Sequence, residues 1–301
     1  MTVPRRHVLR QGAVVRALIR AGFAALDKNR PKEMSVPGPV ATDEVPPRAE
    51  ELVRDYVKHC GGDPAWYRGT VPAHLFPQWG FPILGTRLRD APYDLSKALN
   101  GGCRMEMHAP IPAGEPLQLE ACLEDIDDNG RRAVLKNRLT TGTASAPGAL
   151  VATTYAVVPL KRKDRADAGN EAPKKEKPTV PADAVELARF ALTPAHAVDF
   201  AILTGDFNPI HWLRPFARMA GFANTILHGF GTLAYAIEAL NGSRFANDPT
   251  RLTSIDVKFT KPLVLPASVG LYLGAGDQDH HLFVGTAPDG PAYLTGEFTD
   301  G

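Results

Sequence analysis

The sequence predicts an α+β protein of two tandem units, each with a central helix wrapped by an antiparallel β-sheet. Both halves of the chain contain an extended stretch, a proline followed by apolar residues and a short turn, and then runs in which apolar and polar residues alternate. That alternation is the period of half-buried strands. A charged segment with Ala, Gly and Pro separates the halves at residues 161–182, and its composition is typical of a linker. A tandem repeat is the simplest interpretation.

The first unit is predicted to span residues 45–160. Extended stretches at residues 99–102 and 105–114 lead into a long alternating run at residues 117–139. The string Asp127-Asp128-Asn129-Gly130 interrupts that run, and a turn of this composition is a strong signal for a β-hairpin. The run is therefore predicted to form two paired strands.

The second unit is predicted to span residues 183–301. A helix at about residues 197–203 should end before Pro209, because proline lacks an N–H and restricts the residue before it. A second, apolar helix is expected to begin at His228-Gly229. Strands are predicted at residues 255–264, 269–273 and 282–286. A weaker hairpin turn is predicted at residues 276–279.

Residues 1–44 form a basic extension outside the repeat. Arg16 and Arg20 interrupt the apolar stretch at residues 12–26, which argues against an export signal. Residues 5–30 instead predict a basic amphipathic helix. Its apolar side is formed by Val14, Val15, Leu18, Ile19, Phe23 and Leu26. Packing on the body of the protein or on a dimer mate is favoured, and weak binding to an anionic membrane surface is the alternative. A proline-containing connector is expected at residues 35–47, and the extension is expected to contribute nothing to the chemistry.

Composition excludes several classes of protein. The formal net charge is +1, so no nucleic-acid partner is expected. The three cysteines form no C-x-x-C pair, which argues against a disulfide framework and a zinc site. The sequence contains no uncharged run of about eighteen residues, so no transmembrane helix is expected. The short, bacterial-type linker and the C-terminal Thr299-Asp300-Gly301, which is not a peroxisomal tripeptide, favour the cytoplasm.

The string Gly205-Asp206-Phe207-Asn208-Pro209-Ile210-His211, followed by His228-Gly229, carries the chemistry. A turn through Asn208-Pro209 can bring Asp206 and His211 together as an acid–base pair that holds a water. Asn208 has donors and an acceptor with which to orient the water or the histidine. Backbone N–H groups at the start of the following helix can stabilise an oxyanion. This combination predicts the addition of water to an activated acyl group, or its removal.

The same string, with Leu227-His228-Gly229, resembles the hydratase-2 signature of the MaoC-like dehydratases, whose units have the hot-dog fold. The likeness covers residues 45–300 and is strongest to the tandem, eukaryotic-type (3R)-enoyl-thioester hydratases, in which only the second unit keeps the signature. The resemblance implies a double hot-dog fold. It also implies reversible hydration of trans-2-enoyl thioesters to (3R)-3-hydroxyacyl thioesters in fatty-acyl metabolism.

The resemblance also implies roles for individual residues. The Gly229 N–H should bind the thioester carbonyl oxygen beside the catalytic Asp206, His211 and Asn208. The first unit, with Asn100-Gly101 where the second has His228-Gly229, should be degenerate and accommodate substrate. The residues expected to contact substrate are Asn100, Gly101, Asn129, Pro209, Ile210, His228 and Phe259.

No metal or redox cofactor is expected, because the thioester itself acidifies C2. The carrier of the acyl thioester, as part of the substrate, is coenzyme A or an acyl-carrier protein, and the assembly is a monomer or a homodimer. Two other functions stay open at this point. A hot-dog thioesterase would also use a carboxylate and a helix N-terminus, and a non-catalytic acyl-binding subunit would need no acid–base pair.

Overall fold

Two units with a similar order of elements follow one another in the computed structural model, which describes residues 3–26, 34–88, 91–95, 98–160 and 177–301. Most of the predicted linker, residues 161–176, lies outside the described residues. The first unit contains seven strands and two helices within its described residues. They are β1 (Ala41–Val45), α2 (Glu50–His59), β2 (Thr70–Val71), α3 (Pro77–Leu88), β3 (Leu99–Met107), β4 (Ile111–Pro112), β5 (Leu117–Asp128), β6 (Arg132–Gly142) and β7 (Leu150–Pro159).

The second unit repeats the pattern of a strand, helices and then a run of strands. Its elements are β8 (Val185–Leu192), α4 (Pro194–Thr204), α5 (Arg214–Met219), α6 (Gly229–Ser243), β9 (Leu252–Phe259), β10 (Ala267–Leu273), β11 (His281–Gly285) and β12 (Ala292–Asp300). The predicted helices and strands of this unit are confirmed to within a few residues at each end. The predicted turn at residues 276–279 connects β10 to β11, which pair antiparallel.

One ten-stranded antiparallel sheet runs through both units, in the order β1-β5-β6-β7-β3-β9-β12-β11-β10-β8. The units join where β3 pairs with β9, with Gly102 opposite Lys258 and Met105 opposite Ile255. The predicted hairpin is confirmed, because β5 and β6 pair with Asp128 opposite Ala133. Gly130 has a φ of +74° in its turn, a left-handed conformation that glycine adopts without strain.

Each unit wraps its half of the sheet around one long helix, α3 in the first and α6 in the second. The α6 helix is buried on every side, including its Glu238 and Asn241. Such a helix is hydrophobic all round because it has no solvent-facing stripe. The largest cluster of buried apolar side chains spans both units. This is the double hot-dog architecture that the sequence predicts.

The boundary of the first unit differs from the prediction. Strand β1 lies inside the predicted connector at residues 35–47 and crosses the predicted boundary at residue 44. It pairs with β5, with Ala41 opposite Ala121 and Val45 opposite Leu117. The prolines misled the prediction because they flank this strand, and an edge strand tolerates neighbouring prolines.

The N-terminal extension packs on the body of the protein, as favoured from the sequence. A 3-10 helix (Arg5–Arg10) precedes α1 (Gly12–Leu26), and α1 lies against α3. Val14 is 1% exposed, whereas Ile19 is 53% exposed. Arg6 and Arg10 form ion pairs with Glu51 on α2. Among the described residues, no helix is both long and apolar enough to cross a membrane.

Candidate active site

The predicted acid–base string forms a tight turn at the C-terminal end of α4. Helix α4 ends at Gly205, whose φ of +85° is left-handed, and the Gly205 N–H donates to the Ala201 carbonyl at 2.8 Å. Beyond it, the Phe207 N–H donates back to the Gly205 carbonyl at 2.9 Å. Pro209 then starts a single 3-10 turn, Pro209–His211. The glycine reverses the chain, and the proline fixes where the next turn begins.

Asn208 caps this turn, and its role in orienting the water or the histidine stays a prediction. Its side-chain oxygen accepts a hydrogen bond from the Ile210 N–H at 3.3 Å and caps the 3-10 turn. Its own N–H donates to the Asp206 carboxylate at 3.3 Å. The side chain is exposed. In this structure Asn208 therefore acts on the catalytic groups through the backbone, since asparagine caps such turns readily.

His211 is oriented by a backbone carbonyl. Its Nδ1 lies 2.9 Å from the carbonyl oxygen of Ile226, so Nδ1 carries the proton and donates. The other nitrogen, Nε2, is then the one that can accept a proton. Sequence reasoning missed Ile226, because a backbone acceptor leaves no signature in residue type.

His228 forms the second wall of the cluster. Its ring stacks on the His211 ring with centroids 3.6 Å apart and planes at 25°. Its Nε2 lies 2.9 Å from the Asp206 backbone carbonyl, to which it donates. His228 is 2% exposed. His228 therefore holds the backbone of Asp206 in place, which is a positioning role in addition to the predicted substrate contact.

Asp206, His211 and His228 come together, of which the sequence predicted the approach of Asp206 and His211. One ligand-type atom from each side chain lies within 4.8 Å of the other two. A set of two imidazoles and one carboxylate could also hold a divalent transition metal. Each histidine donates one ring N–H to a backbone carbonyl, which leaves its other ring nitrogen free.

Burial keeps both imidazoles neutral near pH 7. Burial lowers the pKa of His211, while the negative charge of Asp206 and the Ile226 carbonyl oppose that effect. Burial and then the neighbouring His211 lower the pKa of His228 well below its ordinary value. A neutral imidazole with a free Nε2 is the form that can remove a proton from water.

The start of α6 faces this cluster. Gly229 is its first residue, and His228 is its N-cap without a side-chain cap bond. The first N–H groups of a helix have no intrahelical partner and attract negative charge. A Cβ added at Gly229 would lie 2.7 Å from the Phe259 ring. Phe259, on β9, therefore packs against the glycine, and this contact is the reason why only glycine fits.

The predicted counterpart of His228-Gly229 in the first unit is wrong. Asn100-Gly101 lies in β3, which corresponds to β9 and not to a helix start. In the order of elements, the first unit's counterpart of α6 is α3, which begins at Pro77. The prediction searched the first unit for residues similar to His228-Gly229. It therefore passed over Pro77, because proline does not resemble glycine although both residues are suited to helix ends.

The first unit also keeps a remnant of the acid–base turn. Helix α2 is followed by Gly61, with a φ of +90°. Asp63 then accepts a hydrogen bond from the Ala65 N–H and caps the 3-10 helix Pro64–Tyr67, as Asn208 caps Pro209–His211. Aligning the two capped prolines places Trp66 where the second unit has His211. The string Gly61–Trp66 carried the signal that sequence reasoning missed.

The other predicted substrate contacts lie at one end of the sheet. Asn100 and Gly101 are at the end of β3 next to Phe259, because Gly102 pairs with Lys258. Asn129 is at the tip of the β5–β6 hairpin, three strands from β9, or about 14 Å at normal strand spacing. Asn129 uses its side-chain oxygen to accept from the Arg131 and Arg132 N–H groups at 3.0 Å. Asn129 therefore lies well away from Phe259 and the start of α6, and its contact with substrate stays a prediction.

Two tandem hot-dog units with one acid–base turn define the class of this protein. The MaoC like domain model matches residues 174–281, which include the whole cluster and Gly229. The chain therefore contains a MaoC-like domain, in its second unit.

Curated relatives and solved structures agree with this assignment. The chain is 29% identical to 3-hydroxyacyl-thioester dehydratase X of Mycobacterium tuberculosis over 68% of this chain and 70% of that protein. It is 26% identical to peroxisomal multifunctional enzyme type 2 of the mouse, over 65% of this chain and 28% of that enzyme. The crystal structure of HtdX of M. tuberculosis superposes with a TM-score of 0.66 at 22% identity, covering 86% of this chain and 99% of that one. The chain thus spans less than a third of the mouse enzyme that it matches.

Proposed function

We propose that this protein catalyses the reversible hydration of trans-2-enoyl thioesters to (3R)-3-hydroxyacyl thioesters. The observation that carries the proposal is the cluster of Asp206, His211 and His228, in which one ligand-type atom of each side chain lies within 4.8 Å of the other two. The cluster directly precedes the N-terminus of α6, whose N-cap is His228. The dehydratase name of the mycobacterial relative supports it. A pure acyl-binding protein would have no use for a carboxylate and a neutral imidazole held together.

The residues divide the reaction between them. Asp206 and His211 Nε2 hold a water between them, and its hydroxyl adds to C3 of the enoyl thioester. One of the pair takes the proton released from the water, and a proton is delivered to C2. The negative charge that develops on the thioester oxygen meets the Gly229 N–H at the start of α6, and such donors lower the barrier by about 2.7–4 kcal/mol in comparable sites.

One active site per chain follows from the first unit's remnant. Pro77, at the first position of α3, has no N–H to offer an oxyanion. Trp66 occupies the place of the catalytic histidine. The first unit is therefore proposed to accommodate the acyl chain and its carrier, with Asn100, Gly101 and Asn129 near the opening.

The carrier is proposed to be coenzyme A or an acyl-carrier protein, bound to a monomer or homodimer. Lys258 and Lys261 are exposed on the strand end near Phe259 and are candidate contacts for carrier phosphates. The three cysteines are free and buried, which supports a reducing, cytoplasmic location.

A product assay tests the proposal directly. Crotonyl and long-chain trans-2-enoyl thioesters on both carriers should lose their enoyl absorbance without releasing free thiol, and the product should be the (3R) alcohol. Release of free thiol would instead identify a thioesterase. Binding without turnover of any of these substrates would identify an acyl-binding subunit.

Removal of metals should leave the activity unchanged. The proposed chemistry needs only an acid, a base and oxyanion donors, so no step requires a metal held by Asp206, His211 and His228. Dialysis against EDTA followed by assay in metal-free buffer should give the same kcat, and added Zn²⁺ should not raise it. A loss that Zn²⁺ restores would show that the cluster is a metal centre.

The acid limb of the pH profile should report His211. Because burial lowers the pKa of His211, the imidazole stays neutral as the pH falls from 7 to its ordinary pKa of about 6.5. Hydration kcat/KM should therefore stay constant across that range and fall only at more acid pH. A decline centred above 6.5 would contradict the assignment of a neutral, buried base.

A further inference from the structure

The N-terminal extension reaches the catalytic turn through one buried side chain, Gln11. We infer that Gln11 is a positioning residue for the hydration reaction and holds the end of α4 from which Asp206 projects. This inference rests on the proposed function. It also replaces the expectation that the extension contributes nothing to the chemistry.

Gln11 satisfies the backbone at the end of α4. Its Nε2 donates to the carbonyl of Ile202 at 3.1 Å and to that of Leu203 at 2.9 Å. The last four carbonyls of a helix have no intrahelical partner. The Gln11 side chain is 0% exposed, so water cannot take over its hydrogen bonds to these carbonyls. These two bonds fix the final turn of α4, three residues before Asp206.

The extension also packs on the residue that immediately precedes Asp206. A Cβ added at Gly205 would lie 2.8 Å from the Val14 Cβ and 3.0 Å from the Gln11 Cβ. The left-handed φ of Gly205 and this close approach both require glycine. The reversal that aims Asp206 into the site is thus formed against the extension.

A buried relay connects Gln11 to the first unit. Gln78 Nε2, at the start of α3, donates to Gln11 Oε1 at 3.0 Å. Arg48 Nη1, between β1 and α2, donates to Gln78 Oε1 at 2.8 Å. Gln78 is 4% exposed. The two carbonyls that face Gln11 can only accept, which fixes the orientation of its amide. The extension and the first unit therefore hold the catalytic turn of the second unit jointly.

A misplaced turn costs rate more than affinity. A shift of about 1 Å in a catalytic group can cost on the order of 10² in rate. The thioester carbonyl, in contrast, binds at α6, which Gln11 does not contact through any hydrogen bond among the described residues. Loss of the Gln11 donors should therefore lower kcat and leave KM nearly unchanged.

The test compares Gln11→Met with His7→Gln in the full-length protein. Met has a similar length but no donors. His7 is a matched control on the same extension, because it is also 0% exposed but its Nε2 bonds Asp55 on α2 at 2.8 Å and not the end of α4. We expect Gln11→Met to lower kcat for crotonyl thioester by about tenfold or more, with KM within about twofold. His7→Gln should lower the melting temperature and leave kcat intact.

Hydrogen exchange gives a readout that does not depend on activity. The backbone amides of residues 205–211 should exchange faster in Gln11→Met than in wild type. Their exchange rates should be unchanged in His7→Gln. Should Gln11→Met fail to fold, Gln11→Leu takes its place, since it also removes the amide donors and buries no charge. Wild-type kcat and wild-type exchange in the Gln11 variant would overturn the inference. An inactive wild-type protein would overturn the proposed function instead, and the exchange comparison alone would then decide the role of Gln11.

Discussion

Replacing Asp206 with Asn, or His211 with Gln, should each lower the hydration rate by about 10² to 10⁴ while the fold is retained. Both substitutions keep the shape of the side chain and remove its ability to take or give a proton in the required form. The side-chain amide of the glutamine that replaces His211 can still donate to the Ile226 carbonyl, so this hydrogen bond can be retained. The measurement is steady-state kcat and KM on a trans-2-enoyl thioester, with circular dichroism and melting temperature to verify folding.

The double variant sharpens this prediction. Asp206 and His211 act on one water, so removing both should cost little more than removing the more important one. Additive losses would mean that the two groups serve separate steps. Asp183→Asn and His281→Gln are matched controls, because both residues are exposed in the same unit. Near wild-type rates in either single catalytic variant would remove the assignment.

The catalytic string was predictable because its chemistry is local. Asp206 and His211 are five positions apart, and the intervening Pro209 restricts the chain so strongly that a turn is almost the only outcome. The hairpin at Asn129-Gly130 was predictable for the same reason, since its residues favour one turn type. Short-range conformational preference therefore fixed both the site and much of the sheet.

Contacts between distant segments could not be predicted in this way. Gln11 lies 191 residues from Ile202 in sequence, and a lone glutamine in an amphipathic helix gives no indication of its partner. The backbone carbonyl of Ile226, which orients His211, is invisible in a sequence for the same reason. Strand β1 was missed because its edge position and flanking prolines give a connector-like composition.

Comparison between the two halves failed where it relied on similar letters. Asn100-Gly101 resembles His228-Gly229 in composition, but the element order places Pro77 at the counterpart of Gly229. The two helix starts are alike in position and not in residue type. Glycine suits the first position of α6 because it has no Cβ, and proline suits that of α3 because its φ is already helical. The first helical position was preserved, whereas proline lacks the N–H that we propose to bind the oxyanion.

Replacing Gly229 with Ala should lower kcat by about 10², because the N–H that faces the developing oxyanion is displaced. The added Cβ would lie 2.7 Å from the Phe259 ring, a distance at which the ring or the first turn of α6 must move. Alanine keeps the N–H and favours helix, so neither a lost donor nor a weakened helix explains the effect. Steady-state kinetics of Gly229→Ala, with Gly242→Ala on the same helix as a control for the substitution itself, checks this result.

The Phe259 ring supplies the decisive second variant. Gly229→Ala combined with Phe259→Leu gives the new methyl group more room, so α6 can return to its original start and part of the lost rate should return. Phe259→Leu alone should cost less than Gly229→Ala alone. The double variant therefore shows a favourable coupling between the two positions, as expected for side chains in direct contact. If Phe259→Leu restores nothing, the rate loss does not come from the clash with the Phe259 ring. A wild-type kcat in Gly229→Ala would contradict the proposed position of the oxyanion at Gly229.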